Sequence, residues 1–263
     1  MRTLKVLTCA VLACALAAGS LQAQTATGQM KWVSPGSAWA SFTTNGGTNS
    51  QNIYTSPYRA QFSVNGSPNM ALLPPAGTGG AFGSTWDIYC VDFDHYANTG
   101  TSNVFLTNFA DAQANSWFGT YTRTHTLQQY VEAAYLAQKI QAGGDKALYS
   151  GAMWQIMTGG TFAYKGGTSG VSSWTQVQGA VDDAVAAYLA GTTLVNLADW
   201  VVVTEYAADA NGRPTFDVTG KPVLGTHQEF ITQVTPEPAT LLLLGTGLVL
   251  LLVAAGAARR PIA

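Results

Sequence analysis

The densest run of chemically capable side chains is Trp86-Asp-Ile-Tyr-Cys-Val-Asp-Phe-Asp-His95. Read as a strand, it sets Trp86, Ile88, Cys90, Asp92 and Asp94 on one face, and Asp87, Tyr89, Val91, Phe93 and His95 on the other, because successive side chains alternate. Clustered carboxylates are the ligands of hard cations. Here Asp92 and Asp94 alternate with Val91 and Phe93 and lack the spacing of a calcium loop, so the expectation is a solvated strand end and no metal. His95, His125 and His227 stand far apart in the chain, and one cysteine beside them does not make a zinc set. No Gly-x-Ser-x-Gly pentapeptide supplies a serine nucleophile. The Gly-rich stretch 159–170 lacks the Gly-Lys-Ser/Thr ending of a phosphate loop and reads as a connector. No catalytic residue, no cofactor and no enzyme activity are expected. Trp32, Trp39, Trp117 and Trp174 carry rings that could stack on sugars, although such rings more often fill cores.

The two ends of the chain set the compartment. Met1-Arg-Thr-Leu-Lys5 is a basic start, 6–19 is apolar and uncharged, and Leu21-Gln-Ala23 offers a small residue before a cut, with Gln24 as the new N-terminus. This is the pattern of a secretory signal peptide over 1–23, a substrate of signal peptidase. At the other end stand Pro236-Glu237-Pro238, then 239–258 without a charge, then Arg259 and Arg260. Twenty apolar residues suffice to cross a bilayer as a helix, and the two arginines read as a cytoplasmic stop. The predicted organisation is therefore 1–23 signal peptide, 24–234 exported domain and 235–263 tail.

That order of Pro-Glu-Pro, apolar span and basic end resembles the PEP-CTERM sorting signal of Gram-negative bacteria. The resemblance implies an exosortase-like membrane protease as partner, and cleavage near 236–238. It also implies a transient inner-membrane anchor, then release to the outer envelope, cell surface or biofilm matrix. Export removes Cys9 and Cys14 with the signal peptide and leaves Cys90 alone, so no internal disulfide can form. Cys90 is then a buried apolar thiol, a partner in an intermolecular disulfide or a candidate reactive thiol.

Tyr89-Cys90-Val91, followed by Tyr149-Ser-Gly-Ala-Met-Trp154, is similar to the bacterial thioester domains of surface adhesins. In those, a strand cysteine joins a glutamine two residues before an Ala-hydrophobic-Trp end. The matching position is Ser150, which has no carboxamide to acylate. Gln155 lies about one and a half helical turns further on, on another face. The resemblance thus implies the fold without the bond.

Composition bounds the partners. Residues 24–235 hold eight Lys and Arg against thirteen Asp and Glu, a balance of about −5, which argues against nucleic acid. Only 10% of the chain is charged, and the Gly, Ser, Thr, Asn and Gln that replace charge suit sugars or a matrix, with exopolysaccharide as the candidate partner.

Candidate strands at 29–33, 38–44, 53–54, 58–64, 86–93 and 103–107 alternate with Gly/Pro/Asn turns. Helical spacing follows over 126–142, 145–157 and from 173 or 174 to 191, each closed by glycine. Strands return at 200–206, 215–218 and 229–234, and no repeat of fixed period is evident. The expected fold is α+β: an antiparallel β-sandwich or barrel with a three-helix insert, plus a single C-terminal transmembrane helix. The expected function is a structural or adhesive protein of the envelope or exopolysaccharide matrix. The alternatives are a thioester-type covalent adhesin using Cys90 and, third, a secreted hydrolase.

Overall fold

The structure is a computed structural model that describes residues 26–44, 51–65, 85–93, 95–160, 162–167 and 174–234. The expected signal peptide lies outside the described residues, as do Asp94, Pro236, Glu237, Pro238, the apolar segment 239–258, Arg259 and Arg260. Among the described residues no helix is long and apolar enough to cross a membrane.

Six strands close into an antiparallel barrel: β1 (Ala26–Ser34), β4 (Tyr58–Asn65), β5 (Thr85–Cys90), β9 (Phe230–Gln233), β8 (Trp200–Glu205) and β6 (Thr101–Asn108), in that order round the wall. Closure removes free strand edges. β1 shows the pattern that drives it: Ala26, Gly28 and Met30 are buried while Gln29 and Lys31 face out. A second sheet, in the order β3-β2-β7, joins the hairpin of β2 (Ala38–Thr44) and β3 (Gln51–Thr55) to β7 (Phe162–Gly167).

Between β6 and β8 lie four helices, α1 (Phe109–Asn115), α2 (Leu127–Gln141), α3 (Lys146–Thr158) and α4 (Trp174–Leu189). The expected insert had three helices and no strand. α1 was missed although Asn108 caps it, accepting from the N–H groups of Ala110 and Asp111. β7 was missed because glycines have no strand preference of their own; this one exists because β2 offers a partner edge. α2 starts at a capping box of Thr126 and Gln129. α3 starts at Asp145, whose carboxylate accepts from Leu148 N–H, and ends at Gly159.

The stretch expected as a strand at 215–218 belongs to a different object. Ala207 N–H donates to Val223 O (2.9 Å), Val223 N–H to Thr215 O (3.0 Å) and Thr215 N–H to Ala207 O (2.9 Å). Single bridges join Tyr206 to Leu224, Ala208 to Pro214 and Phe216 to Pro222. Three three-residue segments thus close into a ring. Two turns connect them, Asp209-Ala-Asn-Gly-Arg-Pro214 and Asp217-Val-Thr-Gly-Lys-Pro222, which are one motif written twice at a spacing of eight. In both, the aspartate Oδ1 accepts the N–H groups two and four residues on. In both, a glycine at positive φ, 76° at Gly212 and 81° at Gly220, makes the turn. The reading that no fixed repeat occurs is corrected here. Two copies within one loop are too short a run to register as a period. Tyr206 seats the ring on the barrel, its ring centroid 4.6 Å from that of Phe105 and its hydroxyl donating to Gly212 O.

Candidate functional site

β5 positions the site. Its last three residues, Ile88, Tyr89 and Cys90, are all buried, as expected for a strand covered on both faces. Cys90 N–H donates to Ser56 Oγ (3.1 Å), and Ser56 N–H donates to Ser150 Oγ (3.1 Å). Trp154 Nε1 donates to Cys90 O (3.1 Å). The two short motifs at Cys90 and at 149–154 therefore meet, with Ser56 between them. Ser150 occupies the junction, and Gln155 turns to α4, donating to Gln178 Oε1 (2.7 Å). Cys90 is fully buried and its Sγ donates to Asp92 O (3.2 Å). Burial pushes the thiol up to about 12, so it stays protonated and is a poor nucleophile.

The strand stops at Cys90, and that corrects the face assignment beyond it. Val91 N–H makes a last bond to Glu229 O (3.1 Å), and the chain then turns. Asp92 and His95, expected on opposite faces, meet at 2.8 Å between Oδ1 and Nδ1. Asp92 Oδ2 stands 2.6 Å from Arg123 Nε, off the N–H axis, so the contact is an ion pair rather than an aligned hydrogen bond. Arg123 Nη2 donates to Gly225 O (3.2 Å) and His227 O (2.7 Å). Its backbone N–H donates to the Glu229 carboxylate at 3.0 and 3.2 Å. Tyr130 Oη (2.9 Å) and Thr204 Oγ1 (3.1 Å) complete that carboxylate's shell. Glu229 is wholly buried, and burial pushes its carboxyl up to about 7 against the pull of the Arg123 N–H and Tyr130. The Tyr130 hydroxyl is raised well above its usual value, by burial first and then by Glu229.

Two cavities adjoin this network, and His95 lines both. One, of about 490 Å³, opens on Asp92, His95, Arg123 and His125, with Met157 and Thr158 from the end of α3. The other, of about 330 Å³, is walled by Trp32, Tyr54, Tyr58 and Tyr96 with Asn52 and Gln228. Trp32 is fixed from behind by Tyr58 and Phe230, at centroid distances of 5.3 and 6.1 Å. Tyr54 and Tyr96 are 53% and 83% exposed. Gln228 N–H holds the Tyr96 carbonyl (3.1 Å), and Tyr58 Oη donates to Tyr54 O. Exposed rings beside amide groups can stack on an apolar ring face and hydrogen-bond its hydroxyls.

Other candidates fall elsewhere. Asp87 makes a surface ion pair with Arg59 at 3.7 Å, a contact that contributes little. His227 pairs with Glu205 (2.6 Å). Trp39 is exposed and pairs across the β2–β3 hairpin with Tyr54 without lining either cavity, Trp117 packs edge-on to Tyr121 at 5.8 Å, and the Trp174 side chain lies outside the described residues. Among the described residues no three of His, Cys, Asp and Glu converge as metal ligands. Arg123, Tyr130, Glu229, Tyr54 and Tyr96 were not singled out from the sequence. The one available signal was that Arg123 is the single arginine between 60 and 212.

The family model of the PEP-CTERM protein-sorting motif matches residues 234–260. The chain thus carries a PEP-CTERM sorting motif, which implies export, transient membrane anchoring and processing by an exosortase, a membrane protease. No curated protein and no solved structure matches the chain.

Proposed function

We propose that the exported body is a non-enzymatic, polysaccharide-binding protein with an adhesive or scaffolding role in the outer envelope or exopolysaccharide matrix of a Gram-negative cell. The observation that carries this reading is the cleft of Trp32, Tyr54 and Tyr96, with the amide-bearing residues Asn52 and Gln228 in its wall. Signal peptidase removes 1–23, the apolar segment 239–258 holds the chain in the inner membrane, and cleavage near Pro236-Glu237-Pro238 releases the body. A thioester adhesin is the weaker alternative, since the junction residue is Ser150 and Cys90 is buried. A hydrolase would need a nucleophile or a carboxylate pair at the cavities, and the Asp92 carboxylate there is already engaged by His95 and Arg123.

Affinity electrophoresis of the full-length chain in detergent through gels containing neutral and acidic polysaccharides tests the binding. Retardation by at least one polysaccharide, abolished by Tyr54→Ala/Tyr96→Ala, is expected; migration independent of every gel polymer overturns the reading. Replacing 236–238 with alanines tests the route, and should hold the body in the inner membrane at full length.

A further inference from the structure

We infer that the cavity of Asp92, Arg123 and His125 is an anion subsite of the same binding face as the aromatic cleft, and that the polysaccharide it takes carries carboxylates, as a uronic acid does. This rests on the polysaccharide reading above and names the sugar class.

The two cavities share a wall. His95 lines both the aromatic cleft and the cavity of Asp92, Arg123 and His125, so a ring stacked in the first lies beside the polar groups of the second. Among the described residues the one carboxylate lining the cavity of Arg123 and His125 is Asp92, and its charge is already matched: Oδ1 meets His95 Nδ1 at 2.8 Å and Oδ2 meets Arg123 Nε at 2.6 Å. Glu229 lies behind, fully buried and closed off by Arg123 N–H, Tyr130 and Thr204. What the described lining presents to a ligand is the outer edge of the Arg123 guanidinium, whose Nε and Nη2 are already engaged, with the imidazoles of His95 and His125 and the Thr124 hydroxyl; the Thr158 hydroxyl is taken by Trp154 O (2.8 Å). Asp92 fixes His95 through Nδ1, which leaves the opposite ring nitrogen as the one directed away from the carboxylate. A neutral hydroxyl gains little in such a place. A carboxylate gains charge-assisted hydrogen bonds in a concave, partly dry setting. The body as a whole is acidic, so the preference is local, made at short range by these side chains rather than by long-range attraction.

Calorimetric titration of the full-length chain in detergent with polygalacturonate, with its fully methyl-esterified form and with dextran separates the claims. The ester keeps the sugar ring and removes the charge. The acid form should bind on the order of tenfold more tightly than the ester, the size of one charge-assisted hydrogen bond, with an advantage that shrinks as salt is raised. His125→Ala should bring the ratio towards one while leaving ester binding unchanged, and His95→Ala, in the shared wall, should lower the ratio as well as weaken ester binding. Tyr96→Ala should weaken both forms alike. Equal affinity for acid and ester, or a preference that survives both histidine changes in variants with unaltered melting, overturns the anion subsite and leaves the polysaccharide reading standing. Failure of all three polymers to bind overturns both.

Discussion

Cys90 and Asp92 stand two residues apart and belong to different worlds. On the Cys90 side the backbone N–H and carbonyl are answered inside the protein, by Ser56 and Trp154, and Ser150 in turn holds Ser56. On the Asp92 side the same backbone has left the ladder, and the polar groups border two cavities. The strand end divides them. Where β5 is paired and covered, a cysteine becomes a core residue and its chemistry is suppressed. Where pairing stops, a carboxylate, an imidazole and a guanidinium gather at a surface. Reactive residue types in a motif thus say less about chemistry than the point at which the supporting strand ends.

The comparison breaks most visibly on the covered side. Trp154 is fully buried, edge-on to Phe42 at 5.5 Å and 5.3 Å from Phe93. Trp154→Ala should destabilise by about 3–5 kcal/mol, read from urea midpoints; a loss below about 1 kcal/mol would show that the cover over β5 is loose. Next, Arg123→Met removes one partner of buried Asp92 and leaves His95 as the other, which should cost about 2–3 kcal/mol and still leave Cys90 inert.

The polar side should also betray itself through pH. Glu229 is pushed from the usual 4.5 up to about 7 when folded. Between those values the folded chain keeps a proton that the unfolded chain has lost. This carboxyl's contribution is therefore most favourable below pH 4.5 and is lost as pH rises through 7, by on the order of 3 kcal/mol. Glu229→Gln should flatten that slope between pH 4.5 and 7 in thermal melts, and an unchanged slope would place the titration elsewhere.

Cys90 gives a sharper, smaller test. Iodoacetamide should leave Cys90 of the native protein unmodified for hours at pH 8 and, in a chain beginning at Gln24, alkylate it once in urea. Intact mass should equal the sum of the residues, whereas a shortfall of one ammonia would restore the thioester. Smallest of all, Tyr96→Ala should shift stability by no more than about 0.5 kcal/mol, so any loss of polysaccharide binding there is a loss of contact.

Much of the wall was legible because it rests on local pattern. β1 through β6 fell within a few residues of the expected runs, and Thr126, Asp145 and Gly159 marked real helix ends. β7 was illegible because its cause is the β2 edge rather than its own residues. The site was half legible. Cys90, Asp92 and His95 are neighbours in the chain, but Arg123 and Glu229 reach Asp92's vicinity only through closure of the barrel, and no spacing rule spans 92, 123 and 229. Tyr54 and Tyr96 were passed over for tryptophans, which in this fold mostly face the core or lie away from the cleft.

The ring at 206–224 has one more consequence. Its three segments satisfy one another in a circle, so no rim is left to which another unit could be added. A ladder built from the same octad could gain or lose a copy by gene duplication; a closed triangle cannot. An extra octad inserted between Pro214 and Thr215 should not lengthen the object but break it open, while exchanging the two turns for each other should pass almost unnoticed. The copy number of this motif is set by closure, not by the history that duplicated it.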